Sequence, residues 1–220
     1  MNRKILLAII IVALVIAAGA MSLYHWQSLR SVESETTTEN GDFKTYTNKE
    51  YGFSFEYPKG WGEVHITPEL KGFDTGSLVS IYFDLNSEPR VWINLFSDDF
   101  TEGIYEGTPA FYTPSELKNN RDVLYNKLGF VSHEETHING KVATIGIGDR
   151  GYGAPLAASS YLLPEYLNNL KVRNVFASLE METRPEKYTR EELVALRQKP
   201  INKQFEVQLI RVLESLSDIK

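Results

Sequence analysis

The chain has no cysteine in 220 residues. That excludes disulfide frameworks, thiolate zinc sites, cysteine nucleophiles and a lipid-modified N-terminal cysteine. Histidine is scarce, four in all, and only His65, His133 and His137 lie beyond the N-terminal segment. Basic charge is thin once the N-terminus is passed: Arg3, Lys4 and Arg30 precede every acidic residue, so residues 31–220 hold 20 basic against 29 acidic side chains, a net charge of −9. So acidic a chain repels a phosphate backbone, and the expectation is no nucleic-acid partner. No internal repeat is present. With 42% apolar and 24% charged residues the remainder reads as globular.

One long apolar run exists. From Ile5 to Leu23 only Ser22 is polar, and 19 helical residues span roughly 28 Å, close to a bilayer's hydrocarbon thickness. Tyr24 and Trp26 follow at the expected interface depth, with Arg3 and Lys4 before the run and Glu33, Glu35 and Glu39 after it. The reading is a single-pass anchor, residues 1–29, with a cytoplasmic N-terminus and an extracytoplasmic domain. The alternative is a cleaved signal peptide, since Ala18-Gly19-Ala20 fits a small-x-small cleavage site, giving a protein secreted after cleavage near Ala20. Residues 30–41 hold Ser, Thr and Glu with little apolar surface to repay ordering, and read as a flexible polar linker. Residues 42–220 are left as one domain.

Within that domain Tyr51, Phe53, Phe55 and Tyr57 alternate with smaller or polar residues, predicting a strand with an aromatic face that Pro58 and the Lys59-Gly60 turn close. Val79–Leu85 and Val91–Leu95 alternate similarly and predict a hairpin. Tyr82, Trp92 and Phe96 lie on its other face, so packed layers are expected on both sides. Val131–Ile138, Asn139-Gly140 and Lys141–Ile147 predict a second hairpin with a tight turn, and Val172–Glu182 a further strand. Thr113-Pro114-Ser115-Glu116 and Thr189-Arg190-Glu191-Glu192 carry capping-box spacing. The first should open a helix with Leu117, Leu124 and Leu128 on one face, stopped at Gly129; the second a short helix ending before Pro200. Phe205, Leu209, Val212, Leu213 and Leu216 form an apolar stripe of a last helix.

The segment Thr45–Trp61, TYTNKEYGFSFEYPKGW, resembles the opening of PsbP-like domains at Tyr46, Asn48, Tyr51, Gly52, Phe53, Tyr57, Pro58 and Trp61. His137–Thr144 and Val212–Leu216 are weaker echoes; roughly 98–130 and 146–200 align with nothing. The resemblance implies an α/β/α sandwich around a twisted, mainly antiparallel sheet, an α+β arrangement. It also implies a bacterial anchored or secreted module of unknown ligand; the reading adopted is a module that binds or scaffolds a protein partner, without turnover or cofactor. The motif residues are then structural: core aromatics, a backbone requirement at Gly52 and a strand terminator at Pro58.

Two enzyme-like motifs compete with that reading. His133-Glu134-Glu135-Thr136-His137 is H-E-x-x-H, which on a helix brings both imidazoles to one zinc and leaves the glutamate to activate water. On a strand the same histidines stand about 13 Å apart, with Glu134 on the opposite side, and position 143, where a third histidine would extend the pattern, is Ala143. Gly146-Ile147-Gly148-Asp149-Arg150-Gly151 matches a dinucleotide loop, G-x-G-x-x-G. The next segment, Ala154–Leu163, is short and bounded by prolines, a poor helix at best, and Lys171 stands where an acid is needed. The expectation is therefore a plain glycine-rich loop before that helix. Asp98, Asp99, Glu102 and Glu106 cluster without EF-hand spacing; calcium binding there is a variant of the module reading. His65, beside Ile66, reads as a strand-end residue. No nucleophile elbow supports a Ser-His-Asp triad.

Overall fold

The computed structural model describes residues 35–68, 78–96, 130–149, 154–168 and 174–219. In chain order the strands are β1 (Glu35–Asn40), β2 (Phe43–Asn48), β3 (Phe53–Pro58), β4 (Val64–Pro68), β5 (Leu78–Phe83), β6 (Arg90–Phe96), β7 (Phe130–Ile138), β8 (Lys141–Asp149), β9 (Leu156–Leu163) and β10 (Asn174–Thr183). Helices α1 (Arg190–Gln198) and α2 (Pro200–Ser215) follow, then the short β11 (Ser217–Asp218). The strands form two antiparallel sheets, β1-β2-β3-β11 and β4-β5-β6-β10-β9-β8-β7. The architecture is mainly antiparallel sheet with two helices. The family resemblance implies an α/β/α sandwich around a single sheet, whereas the described residues form two sheets, and the division has a local cause. Pro58 closes β3, a 3-10 turn at Lys59–Trp61 follows, and the chain leaves in a new direction to begin β4 in the other sheet.

The anticipated β5–β6 and β7–β8 hairpins both form. Asn139 and Gly140 each have positive φ, 51° and 75°, the handedness a two-residue turn needs to match strand twist. Two further expectations fail. Glu35–Asn40, assigned to the linker, is strand β1, six residues in continuous register with β2; three successive threonines are β-branched and suit an extended backbone better than a polar tract suggests. Ala154–Leu163, expected as a short helix after a glycine-rich loop, instead provides β9, paired on both sides. Its β-partners supply the burial that its composition alone did not reveal.

α1 opens with the expected capping box, Thr189 Oγ1 accepting from Glu192 N at 3.2 Å and Glu192 Oε2 from Thr189 N at 2.7 Å. It ends before Pro200, which starts α2. Both helices cover one face of the large sheet, where Leu193, Leu196, Leu209, Val212 and Leu213 join Ile81, Ile93, Ile145, Val175 and Leu179 in one core. On the other face Phe96, Ser160 and Phe176 are also buried. The helix expected from Thr113 and the anchor expected over Ile5–Leu23 lie outside the described residues. Among the described residues no helix is long and apolar enough to cross a membrane.

An aromatic seam joins the two sheets and α2. Phe53, Phe55 and Tyr57 project from β3 beside Tyr46 of β2, with ring centroids 5.4 to 6.3 Å apart along the run. Phe83 of the large sheet meets Phe55 at 6.3 Å, Tyr57 at 5.5 Å and Trp61 at 4.9 Å, the first and last edge-on. Trp61 stacks on Phe205 of α2 at 5.9 Å. Such ring pairs add about 0.5–1.5 kcal/mol each beyond the apolar area they bury. Trp61→Ala is therefore expected to cost about 3–5 kcal/mol in denaturant unfolding. Val207→Ala, at a side chain 67% exposed on the same helix, should stay within about 0.5 kcal/mol.

Candidate functional site

The H-E-x-x-H segment lies wholly within β7, paired to β8 with His133 opposite Gly146, Glu134 opposite Ile145 and His137 opposite Val142. Side chains alternate along a strand, so the histidines share one face, about 13 Å apart, and Glu134 is on the other. This strand separates the candidate ligands rather than converging them on one ion. Among the described residues no three His, Asp or Glu side chains come together as a metal site. The alternative candidates Asp98, Asp99, Glu102 and Glu106 lie outside the described residues.

Glu134 instead faces the helical layer. Its carboxylate accepts from Arg197 of α1, Nη2 to Oε1 at 2.9 Å. Arg197 also donates to Glu206 of α2, through Nε at 2.9 Å and through a second, shorter bond from Nη2. Lys203 Nζ reaches the other oxygen of Glu206 at 2.7 Å. Next to this pair sits the buried hydroxyl of Tyr161, whose pKa is raised well above its ordinary value, first by burial and then by the Glu206 charge. Burial opposes charge at Glu206 and Arg197 alike, yet the bonds to Arg197 and Lys203 outweigh it and hold the Glu206 carboxyl below its ordinary pKa. Bonds to Glu206 likewise hold Arg197 above its own. Both carboxylates that could act as a base here are engaged by a cation. Chemically the cluster is a clamp between the β7 edge and both helices, with its charges matched internally.

The sequence reading missed this clamp, although a signal was present. Asn202 and Glu206 continue the stripe of α2 backward from Leu209 at spacings of three and four, placing a carboxylate on an otherwise apolar face. Asn202 is buried too, and donates to the Leu196 carbonyl at 2.7 Å, tying the end of α1 to α2.

The remaining candidates have other local roles. Gly146 and Gly148 lie inside β8, opposite His133 and Phe130, so the G-x-G-x-x-G pattern does not open a helix. A Cβ at Gly146 would fall 2.2 Å from the Phe130 ring, so this glycine makes room for an aromatic side chain. His65 is in β4, paired to Tyr82, and its Nε2 meets Asp84 Oδ1 at 2.6 Å on the exposed surface. The bond from His65, then that from Glu63 N, lowers the Asp84 pKa.

Tyr46, Asn48, Phe53, Tyr57, Pro58 and Trp61 are buried and Tyr51 half-buried. Asn48 Oδ1 accepts from Tyr51 N at 3.0 Å, and its amide donates to the Tyr46 hydroxyl at 3.3 Å. Gly52 has φ of 73°, donates to the Asn48 carbonyl at 2.9 Å and accepts from Ile219 N at 3.0 Å. The motif thus shapes the β2–β3 turn and ties it to the C-terminal strand.

Residues 4–85 match the family model for PsbP-like protein, a stretch that takes in both the apolar N-terminal run and the aromatic hairpin. Among solved structures, the solution structure of cyanobacterial PsbP (CyanoP) from Synechocystis sp. PCC 6803 is similar at 14% identity and a TM-score of 0.38, over 82% of this chain and 95% of that one. No curated protein matches.

The clamp gives a defined test. Glu206→Gln leaves Arg197 buried with one partly exposed partner and is expected to cost about 3–5 kcal/mol. Glu134→Gln, at the solvated end, should cost about 0–1 kcal/mol. Because the folded-state pKa of Glu206 is depressed, its stabilisation is complete above the ordinary glutamate range and is lost as pH falls through the folded value. Equilibrium unfolding of both variants across the acid range should show the wild-type decline flattened in Glu206→Gln only. Equal costs for the two variants would mean that Glu206 does not anchor the network.

Proposed function

We propose that this chain, which carries a PsbP-like domain, is a non-catalytic binding or scaffolding module held at the outer face of a membrane by its N-terminal segment, acting on a protein partner. One observation carries the reading: the side chains that mark the family-like motif are spent on internal packing, the Glu134 carboxylate is held by Arg197, and β7 sets His133 and His137 about 13 Å apart. A module so arranged offers surface rather than chemistry. The anchor rests on the 19-residue apolar run with its aromatic and basic flanks, and the family match beginning at residue 4 supports counting that run as part of the protein's plan.

The test joins two measurements. Full-length chain expressed in bacteria should stay with the membrane fraction through high-salt and alkaline washing; release of a shortened chain would favour cleavage near Ala20 and a secreted module. Thermal unfolding after chelation, with Zn²⁺ and then Ca²⁺ returned, should give unchanged midpoints. A ligand bound only by the native state at 100 times its dissociation constant adds about 2.7 kcal/mol, a shift of a few degrees. A saturable zinc shift abolished by His133→Ala with His137→Ala would overturn the non-catalytic reading and restore a hydrolase site. A calcium shift abolished by Asp98→Asn with Asp99→Asn would make the module a calcium binder.

A further inference from the structure

Strand β1 changes what the anchor allows. If the linker ran to residue 41 the domain would swing freely, but Glu35 is already paired, opposite Asn48. At most eight residues, 27–34, separate Trp26 from strand β1. Even fully extended, nine such steps reach about 30 Å.

The strand registers define two poles of the domain. At one, Glu35 lies beside the Asn48–Phe53 turn, Asp218 pairs with Phe53, and Asn168 N donates to Asp218 Oδ2 at 2.8 Å, bringing in the β9–β10 connection. Residues at the other pole are ordered through α2. Ser215 bonds to Glu56 and Gln208 to Trp61, so the helix runs back toward its start at Pro200, near Lys199 and Glu182. Arg184 then holds the Glu186 and Lys187 carbonyls, which places the β10–α1 connection at this far pole. Between the poles β10 alone extends about 30 Å, and a domain of this many residues is roughly 40 Å across. Far-pole contact with the bilayer would require lifting Glu35 about 40 Å, beyond what eight residues reach.

We infer that the β10–α1 pole is held away from the lipid surface, with the pole formed by the Asn48–Phe53 turn and the C-terminal strand lying nearer to it. This rests on the membrane-anchor reading above.

The absence of cysteine makes the test clean, since one introduced thiol is the only label site. Lys49→Cys and Lys187→Cys are both at exposed lysines, one at each pole, and change charge equally. Each full-length variant is labelled with a donor dye, reconstituted into phosphatidylcholine vesicles containing a headgroup acceptor, and floated on a density gradient before energy transfer is read. Transfer from position 49 should exceed that from position 187 by about twofold or more, given the domain's size. Flotation with equal or reversed transfer overturns the orientation while the anchor stands. Failure to float removes the anchor, and the orientation with it.

Discussion

The contact on which the other layers depend is the meeting of Phe83 with Tyr57 and Trp61. Phe83 belongs to the seven-stranded sheet, Tyr57 to the four-stranded one, and Trp61 stacks in turn on Phe205 of α2. A small sheet of four strands has little core of its own. Its aromatic face is buried only because the edge of the large sheet and the last helix close over it. Remove the seam and the hairpin Phe43–Pro58 loses its ring contacts with the large sheet and α2, leaving the pairing with β1 and β11 and the Ser215–Glu56 bonds to hold it.

The ion clamp does for the opposite edge what the seam does for the hairpin, at greater electrostatic risk. Burying Glu206 and Arg197 carries a large desolvation cost, which is offset only because Lys203 and Glu134 complete the network. Its effect is positional. It fixes α1 and α2 against the outermost strand, where apolar residues are fewer and register would otherwise be weakly specified. The glutamate that made H-E-x-x-H look catalytic is one of its members.

Much of this was legible in the sequence because local chemistry decides it. Alternating aromatics gave β3, Asn139-Gly140 gave the β7–β8 turn, and Thr189 with Glu192 gave the start of α1. The same local logic placed the two histidines on one strand face and Glu134 on the other. Errors arose where partners far along the chain decide the outcome. Glu35–Asn40 is polar and looks like a linker, but Phe43–Asn48 offers it a ladder. Ala154–Leu163 has small residues and bounding prolines, and becomes a strand because β8 and β10 lie on either side of it. The division into two sheets turns on the exit angle after Pro58, which alternation cannot report. The clamp was half visible, as a charge on the apolar stripe of α2, while its partner Arg197 lies nine residues earlier on another helix.

If the seam unites both sheets and α2 in one cooperative unit, native-state amide hydrogen exchange at increasing sub-denaturing urea measures it most directly. Amides of β3, β5 and the last turns of α2 should converge on a single opening free energy, equal to that of global unfolding. Opening of β1–β2–β3 as a separate unit, at lower free energy than the seven-stranded sheet, would contradict the account.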